Sequence, residues 1–268
     1  MSVTSHLQRF MSAKDRIRCI RMMKAAGFAY VRTSALQYEN ANMVSGMNLN
    51  AILDEGIGLV VMVSSNDGFM RIPMADWRKY VSKIVKWAPS GAVWQCLNEP
   101  NTLLFSGMAP DADVALEYFM QAREIILDRY PDAFIIAPGL TNESRDDKWK
   151  ISARTFLRVW IQHGAAPSAW ALHYYHNRPD KPKDLALLKA NIAYLEKIGG
   201  GKPVYLTETG AYDPMNAMRW YGMLKAGELG GVKEVAWYAM DHHKGYELID
   251  DKFKPSALYA KMSEDAES

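Results

Sequence analysis

A short apolar, β-branched run followed by an amphipathic segment recurs eight times along the 268-residue chain. The runs cover 3–7, 28–33, 58–63, a stretch from Val93, 133–138, 170–175, a stretch from Val204, and 235–240. Gly58 to Val63 is apolar throughout, as expected of a strand buried on both faces. The segments between them carry helix signals. Ser12 with Asp15 resembles a capping box, Ile17, Ile20 and Met23 follow at helical spacing, and Gly27 closes the segment. Short or longer helices are expected over 48–55, 76–87, from Asp111 to about Tyr130, 152–163, 184–198, 216–229 and 255–262, most of them closed by glycine. Over 76–87, Trp77, Tyr80, Val81, Ile84 and Trp87 are expected on one side.

Regular strand–helix alternation requires a parallel sheet with right-handed crossovers. Eight units in a chain near the usual ~250 residues close into a (β/α)8 TIM barrel. The expected fold is α/β, one barrel domain over residues 1–268. An open doubly wound sheet is the alternative. The first strand is short and starts almost at Met1, so closure there is the weakest point of the reading.

Hydrophobic residues make up 49% of the chain, enough for a large core rather than disorder. A net charge of +2 gives no basic footprint for nucleic acid. Cys19 falls on a helix and Cys96 inside a strand, so both are expected to be buried thiols rather than a disulfide or a metal site. The first residues carry no basic segment leading into an apolar run, and no stretch reads as a membrane span. A cytoplasmic protein is expected as encoded, with release by lysis or a phage left open.

The chemistry concentrates at two strand ends. Val93-Trp94-Gln95-Cys96-Leu97 runs into Asn98-Glu99 and is stopped by Pro100. Val204-Tyr205-Leu206-Thr207 runs into Glu208. Loops after the strands build the active face of a β/α barrel, so both carboxylates are expected there. A pair of glutamates is what glycosidic cleavage needs: one proton donor and one nucleophile or base. Asn98 and Glu99 are adjacent, so both reach one pocket only if the strand bends or bulges. His173 and Tyr175 share strand parity and can both face the mouth.

Together these residues resemble clan A of the retaining glycoside hydrolases, which includes cellulase-like family 5 and xylosidase-like family 39. The resemblance rests on Gly27 to Arg32 at the second strand, Asn98-Glu99-Pro100 at the fourth and His173-Tyr174-Tyr175 at the sixth. It continues through Thr207-Glu208 at the seventh strand, Trp237 at the eighth, and Gly245 to Pro255 after it. It implies Glu208 as nucleophile and Glu99 as acid and base. It also implies Arg32 as support for the nucleophile and Trp237 under the sugar. Chemistry agrees: Glu99 must hold a proton near neutral pH, and Arg32⁺ would keep Glu208 ionised. Tyr175 could orient Glu208, Asn98 could hold the sugar 2-hydroxyl, and His173 is given a positioning role. Taken singly, each has an ordinary reading: a rim carboxylate, a structural ion pair, a core tryptophan, a hydrogen-bonded histidine.

The implied function is retaining hydrolysis of β-O-glycosidic bonds, with an oligosaccharide or polysaccharide as substrate and neither metal nor organic cofactor. The rivals are a carbohydrate-binding barrel without catalysis and a transglycosylase using the same intermediate. His176, Asp241, His242 and His243 lie on active-face loops but lack a metal-ligand spacing. Gly199-Gly200-Gly201-Lys202 precedes a strand, so it is a helix stop and not a phosphate loop. Trp149, Phe69 and Phe105 are candidates either for sugar stacking or for covering the barrel top.

Overall fold

The computed structural model describes residues 1–5, 12–33, 38, 49–176, 182–240, 247–250 and 252–268. Its strands are β1 (Ser2–Ser5), β2 (Tyr30–Thr33), β3 (Gly58–Val63), β4 (Val93–Cys96), β5 (Ile135–Thr141), β6 (Ala169–Tyr175), β7 (Val204–Gly210) and β8 (Val232–Tyr238). They form a closed barrel in chain order, every pairing parallel, with β1 bonded to both β2 and β8. The short first strand therefore closes the barrel through four residues on one side and three on the other, and the open-sheet alternative is excluded.

The helices among the described residues are α1 (Ala13–Ala25), α2 (Asn50–Asp54), α3 (Met74–Trp87), α4 (Leu103–Ser106), α5 (Ala112–Arg129), α6 (Ala153–Gln162), α7 (Pro182–Ile198), α8 (Pro214–Lys225) and α9 (Ala257–Glu267). Their starts follow local chemistry. Ser12, Asp111, Ser152, Asp213 and Ser256 each accept a backbone N–H two or three residues on, satisfying donors that the first turn leaves open. Along α3, Val85 is buried where Trp87 was expected; Trp87 is 48% exposed at the helix end. α4 was not expected from sequence.

Alternation divides the strand side chains into two sets. Val3, Val31, Leu59, Val61, Val63, Trp94 and Cys96 point outward and pack with the helices in the main core. Cys19 and Cys96 are both free and buried there, and burial pushes the Cys96 thiol up to about 12. Inside the barrel a small set, Val60, Ile136, Ala169 and Ala171 with Val93, Phe134 and Tyr205, packs the lower half around a cavity of about 270 Å³.

Register slips interrupt this order at β5–β6, at β6–β7 and twice at β7–β8, and the first two flank β6. The β5–β6 register slips by one residue between Ile136 and Gly139, where Ala137 and Pro138 face only Trp170. Proline inside a strand is tolerated at such a bulge, which is why β5 continues to Thr141 instead of ending near Pro138. The β6–β7 register slips between Leu172 and His173, where Thr207 is the extra residue. β8 runs over 232–238 instead of 235–240.

Candidate active site

The ends of β2, β4, β6 and β7 deliver the parts of a polar cluster. Arg32, the last residue but one of β2, is 1% exposed inside the barrel mouth. β4 stops at Cys96, and the chain turns through Leu97 at φ 70° and Glu99 at φ 41°. This is the bend that two adjacent functional residues require. A left-handed non-glycine residue costs roughly 1–3 kcal/mol and persists only when its surroundings hold it. Here Leu97 N–H bonds the Val63 carbonyl, Glu99 N–H bonds the Gly139 carbonyl, and the Thr102 N–H and hydroxyl both bond the Glu99 carbonyl. Asn101 clamps the turn to the β5 loop: its amide donates to Thr141 and to the Ile151 carbonyl, and its oxygen accepts from Thr141 N–H.

On β7 the bulge at Thr207 turns both Thr207 and Glu208 inward, which plain alternation would forbid. Glu208 Oε1 lies 2.6 Å from Arg32 Nη1, and Tyr175 donates its hydroxyl proton to Glu208 Oε2 at 2.5 Å. His173 Nδ1 lies 2.8 Å from Glu99 Oε1 and 3.6 Å from Glu208 Oε2. One oxygen of each glutamate and a ring nitrogen of His173 fall within 4.8 Å of one another. Arg32 also donates to Gln95 Oε1 and to Asn98 Oδ1.

The two carboxylates are held differently. Burial alone would raise Glu208, but the positive charge that His173 carries when protonated and that of Arg32, with hydrogen bonds from Tyr175 and Arg32, outweigh it and bring it down to about 2. Burial and the Glu208 charge push Tyr175 well above its usual value, so it stays a donor. Glu99 is more open than Glu208, with side-chain exposures of 13% against 9%, and meets no arginine or lysine among the described ion pairs. Three such ligand atoms could surround a cation. The Glu208 oxygens are already taken by a guanidinium and a phenol, and the arrangement suits proton transfer better.

Of the residues expected from sequence, Arg32, Asn98, Glu99, His173, Tyr175 and Glu208 come together. Trp237 does not. It is 1% exposed within the outer core, because Ala236 lines the barrel interior and alternation turns the next residue out. Tyr238 then faces inward, its ring edge-on to Tyr175 at 5.8 Å. Phe69 is fully buried against Tyr118, so it cannot stack on a ligand, whereas Trp149 is 53% exposed on the β5 loop. His176 stacks on Trp220 and meets Tyr174 Oη, a packing role. Asp241, His242 and His243, with Gly245 and Tyr246 of the closing segment, lie outside the described residues. Sequence reading missed Gln95, Asn101, Gly139, Thr207 and Tyr238. Gln95 and Asn101 could have been found, since an amide inside an apolar strand and a second asparagine after a turn both need partners.

No protein-family model matches the chain, and no curated protein matches it. Solved structures share its fold. A glucosidase from Croceicoccus marinus superposes with a TM-score of 0.73 at 11% identity, over 92% of this chain and 63% of that one. This chain thus spans less than two thirds of that glucosidase. A GH128 (subgroup I) endo-beta-1,3-glucanase from Amycolatopsis mediterranei, in complex with laminaripentaose, gives 0.64 at 14% identity over 98% and 97%. The endo-1,4-beta-mannanase from Rhizomucor miehei gives 0.68 at 11% identity over 99% and 93%. At these identities the likeness is one of fold. No helix among the described residues is long and apolar enough to cross a membrane.

Proposed function

We propose that this chain is a retaining glycoside hydrolase acting on β-linked sugars. The observation that carries the reading is the meeting of Glu99 and Glu208 across His173 at the C-terminal mouth of the barrel. Retaining chemistry needs carboxylates about 5–5.5 Å apart, and inversion needs about 6.5–9.5 Å; oxygens of the two glutamates within 4.8 Å of each other are compatible with the first. The solved glucosidase, glucanase and mannanase of the same fold add support at the level of substrate class.

Glu208 is the nucleophile. A nucleophilic carboxylate must be ionised and aimed, and Arg32 and Tyr175 do both. Glu99 is the acid in the first step and the base in the second. It donates its proton to the leaving oxygen while Glu208 forms the glycosyl-enzyme, then takes a proton from water as that ester is hydrolysed. Asn98 turns its carbonyl to Arg32, which leaves its NH2 to hold the sugar 2-hydroxyl. A panel of aryl β-glycosides and β-glucans, xylans, mannans and galactans tests the reading. A 2-deoxy-2-fluoroglycoside should leave one glycosyl unit on Glu208, seen by mass. No turnover on the panel together with no label on Glu208 rejects it.

Tyr238 takes the sugar-platform role that the resemblance gave to Trp237. Tyr238→Ala should lower kcat/KM by roughly tenfold, one good contact, with little change in melting. Trp237→Ala removes a fully buried indole and should cost about 3–5 kcal/mol of stability while the folded fraction keeps its kcat. Paired thermal melts and kinetics check this; the opposite pattern would return the role to Trp237.

A further inference from the structure

We propose that Gly139, Thr207 and Gln95 form a seat that holds His173 with its proton on Nδ1, facing Glu99, and that they are positioning residues for the proton donor. The proposal rests on the reaction assigned above to Glu99.

The argument starts from a group with no choice. A guanidinium carries only donors, so the atom of Gln95 that meets Arg32 Nε is its carbonyl oxygen. That orients the whole amide. Its Nε2 must then donate, and it meets Thr207 Oγ1 at 2.9 Å. A threonine hydroxyl has one proton and two lone pairs. Gln95 uses one lone pair, and the remaining partner is His173 Nε2 at 3.2 Å. The hydroxyl proton goes to Nε2, so Nε2 carries none. The ring proton therefore sits on Nδ1 and is donated to Glu99 Oε1 at 2.8 Å. The other tautomer would leave the Thr207 proton without an acceptor among the described residues.

Space fixes where the ring sits. A Cβ at Gly139 would lie 1.9 Å from His173 Nε2, 2.4 Å from Cδ2 and 2.7 Å from Thr207 Oγ1. This glycine is required by room, not by a left-handed backbone. Its carbonyl also takes the Glu99 N–H, so one residue seats the ring and anchors the acid. Gly139 and Thr207 reach the ring because β5 and β7 each carry one extra residue beside β6. With Oε1 of Glu99 committed to His173, the transferable proton is held on Oε2.

The test reads the tautomer without turnover. Histidine is labelled with 15N in the full chain, and the His173 signals are assigned by their loss in His173→Gln. At pH 7.5 the expected result is a protonated Nδ1 and a bare, hydrogen-bonded Nε2. A proton on Nε2 in the wild-type protein overturns the proposal. Thr207→Val should erase the preference and slow aryl glycosides with poor leaving groups by roughly tenfold. Those with good leaving groups should be spared, and Thr207→Ser should restore both. Gly139→Ala should displace the ring and slow the same substrates more. Equal slowing of all leaving groups, or a Thr207→Val tautomer identical to wild type, also overturns it. Absence of any glycosidase activity would remove the proposed reaction yet leave the seat to be judged on the 15N spectrum.

Discussion

Glu208→Ala should lose turnover of every glycoside, on the order of 10⁵-fold or more, because in the proposed double displacement the covalent step itself would be gone. Glu99→Ala behaves differently. It slows substrates with poor leaving groups by about 10²–10⁴-fold, the usual worth of a positioned acid, whereas an activated aryl glycoside still forms the glycosyl-enzyme and then stalls. Azide separates the two roles by stereochemistry. In Glu99→Ala it enters from the side vacated by the acid, attacks the glycosyl-enzyme, and a β-substrate gives a β-glycosyl azide. In Glu208→Ala it enters from the nucleophile's side by direct displacement and gives the α-azide. Product configuration by NMR is the measurement. Swapped configurations would reverse the roles, and full activity in both variants would end the glycosidase reading.

The asymmetry has a structural source. Glu208 is gripped through both oxygens, by Arg32 and by Tyr175, so it is charged and immobile before substrate arrives. Glu99 is gripped through one, by His173, and sits on a turn of left-handed residues pinned to β5. A carboxyl held at both oxygens could not pass a proton back and forth; one held at a single oxygen can.

The barrel was legible in the sequence, and so was the meeting of six of the seven candidate residues at one mouth. Strand–helix alternation sets the topology, and a polar residue ending an apolar strand can only point to a mouth. What stayed hidden depended on register. Trp237 and Tyr238 are neighbours, and nothing in their order says which faces inward; that is fixed by the pairing of β8 with β1 and β7. The bulge at Thr207 was invisible for the same reason, since one extra residue on one strand leaves no local mark in an apolar run. The need for a bend at Asn98-Glu99 could be read because two adjacent residues had to share a pocket. Thr207-Glu208 posed the same problem, but Thr207 had no role to demand it. Gly139 is the extreme case: its reason for being glycine is a ring on another strand, 34 residues away in sequence.

Arg32→Met should destabilise the protein by about 3–5 kcal/mol at neutral pH, the cost of leaving a buried charge without its partner, a fall of roughly 10 °C in Tm for a chain of this size. Arg32 and Glu208 are both buried, and Arg32 also satisfies Gln95 and Asn98, so methionine cannot repair the site. The pH dependence identifies the cause. Glu208 in the folded wild type is held at about 2, below its ordinary value near 4.3. The folded state therefore gains from the ionised carboxylate above about 4.5, and loses that gain as pH falls through 2. In Arg32→Met the carboxyl rises, and below its new value it is neutral and no longer penalised. The Tm gap between wild type and variant should be widest at neutral pH and should narrow as pH falls from the variant's own raised Glu208 value towards 2, since the unfolded state is common to both. Arg32→Lys should lie between them, since it restores a charge but not the fork that reaches Glu208, Gln95 and Asn98 together. Thermal melts across that range are the measurement. A gap that does not change with pH would mean that Arg32 stabilises by packing and leaves the charge of Glu208 to other groups.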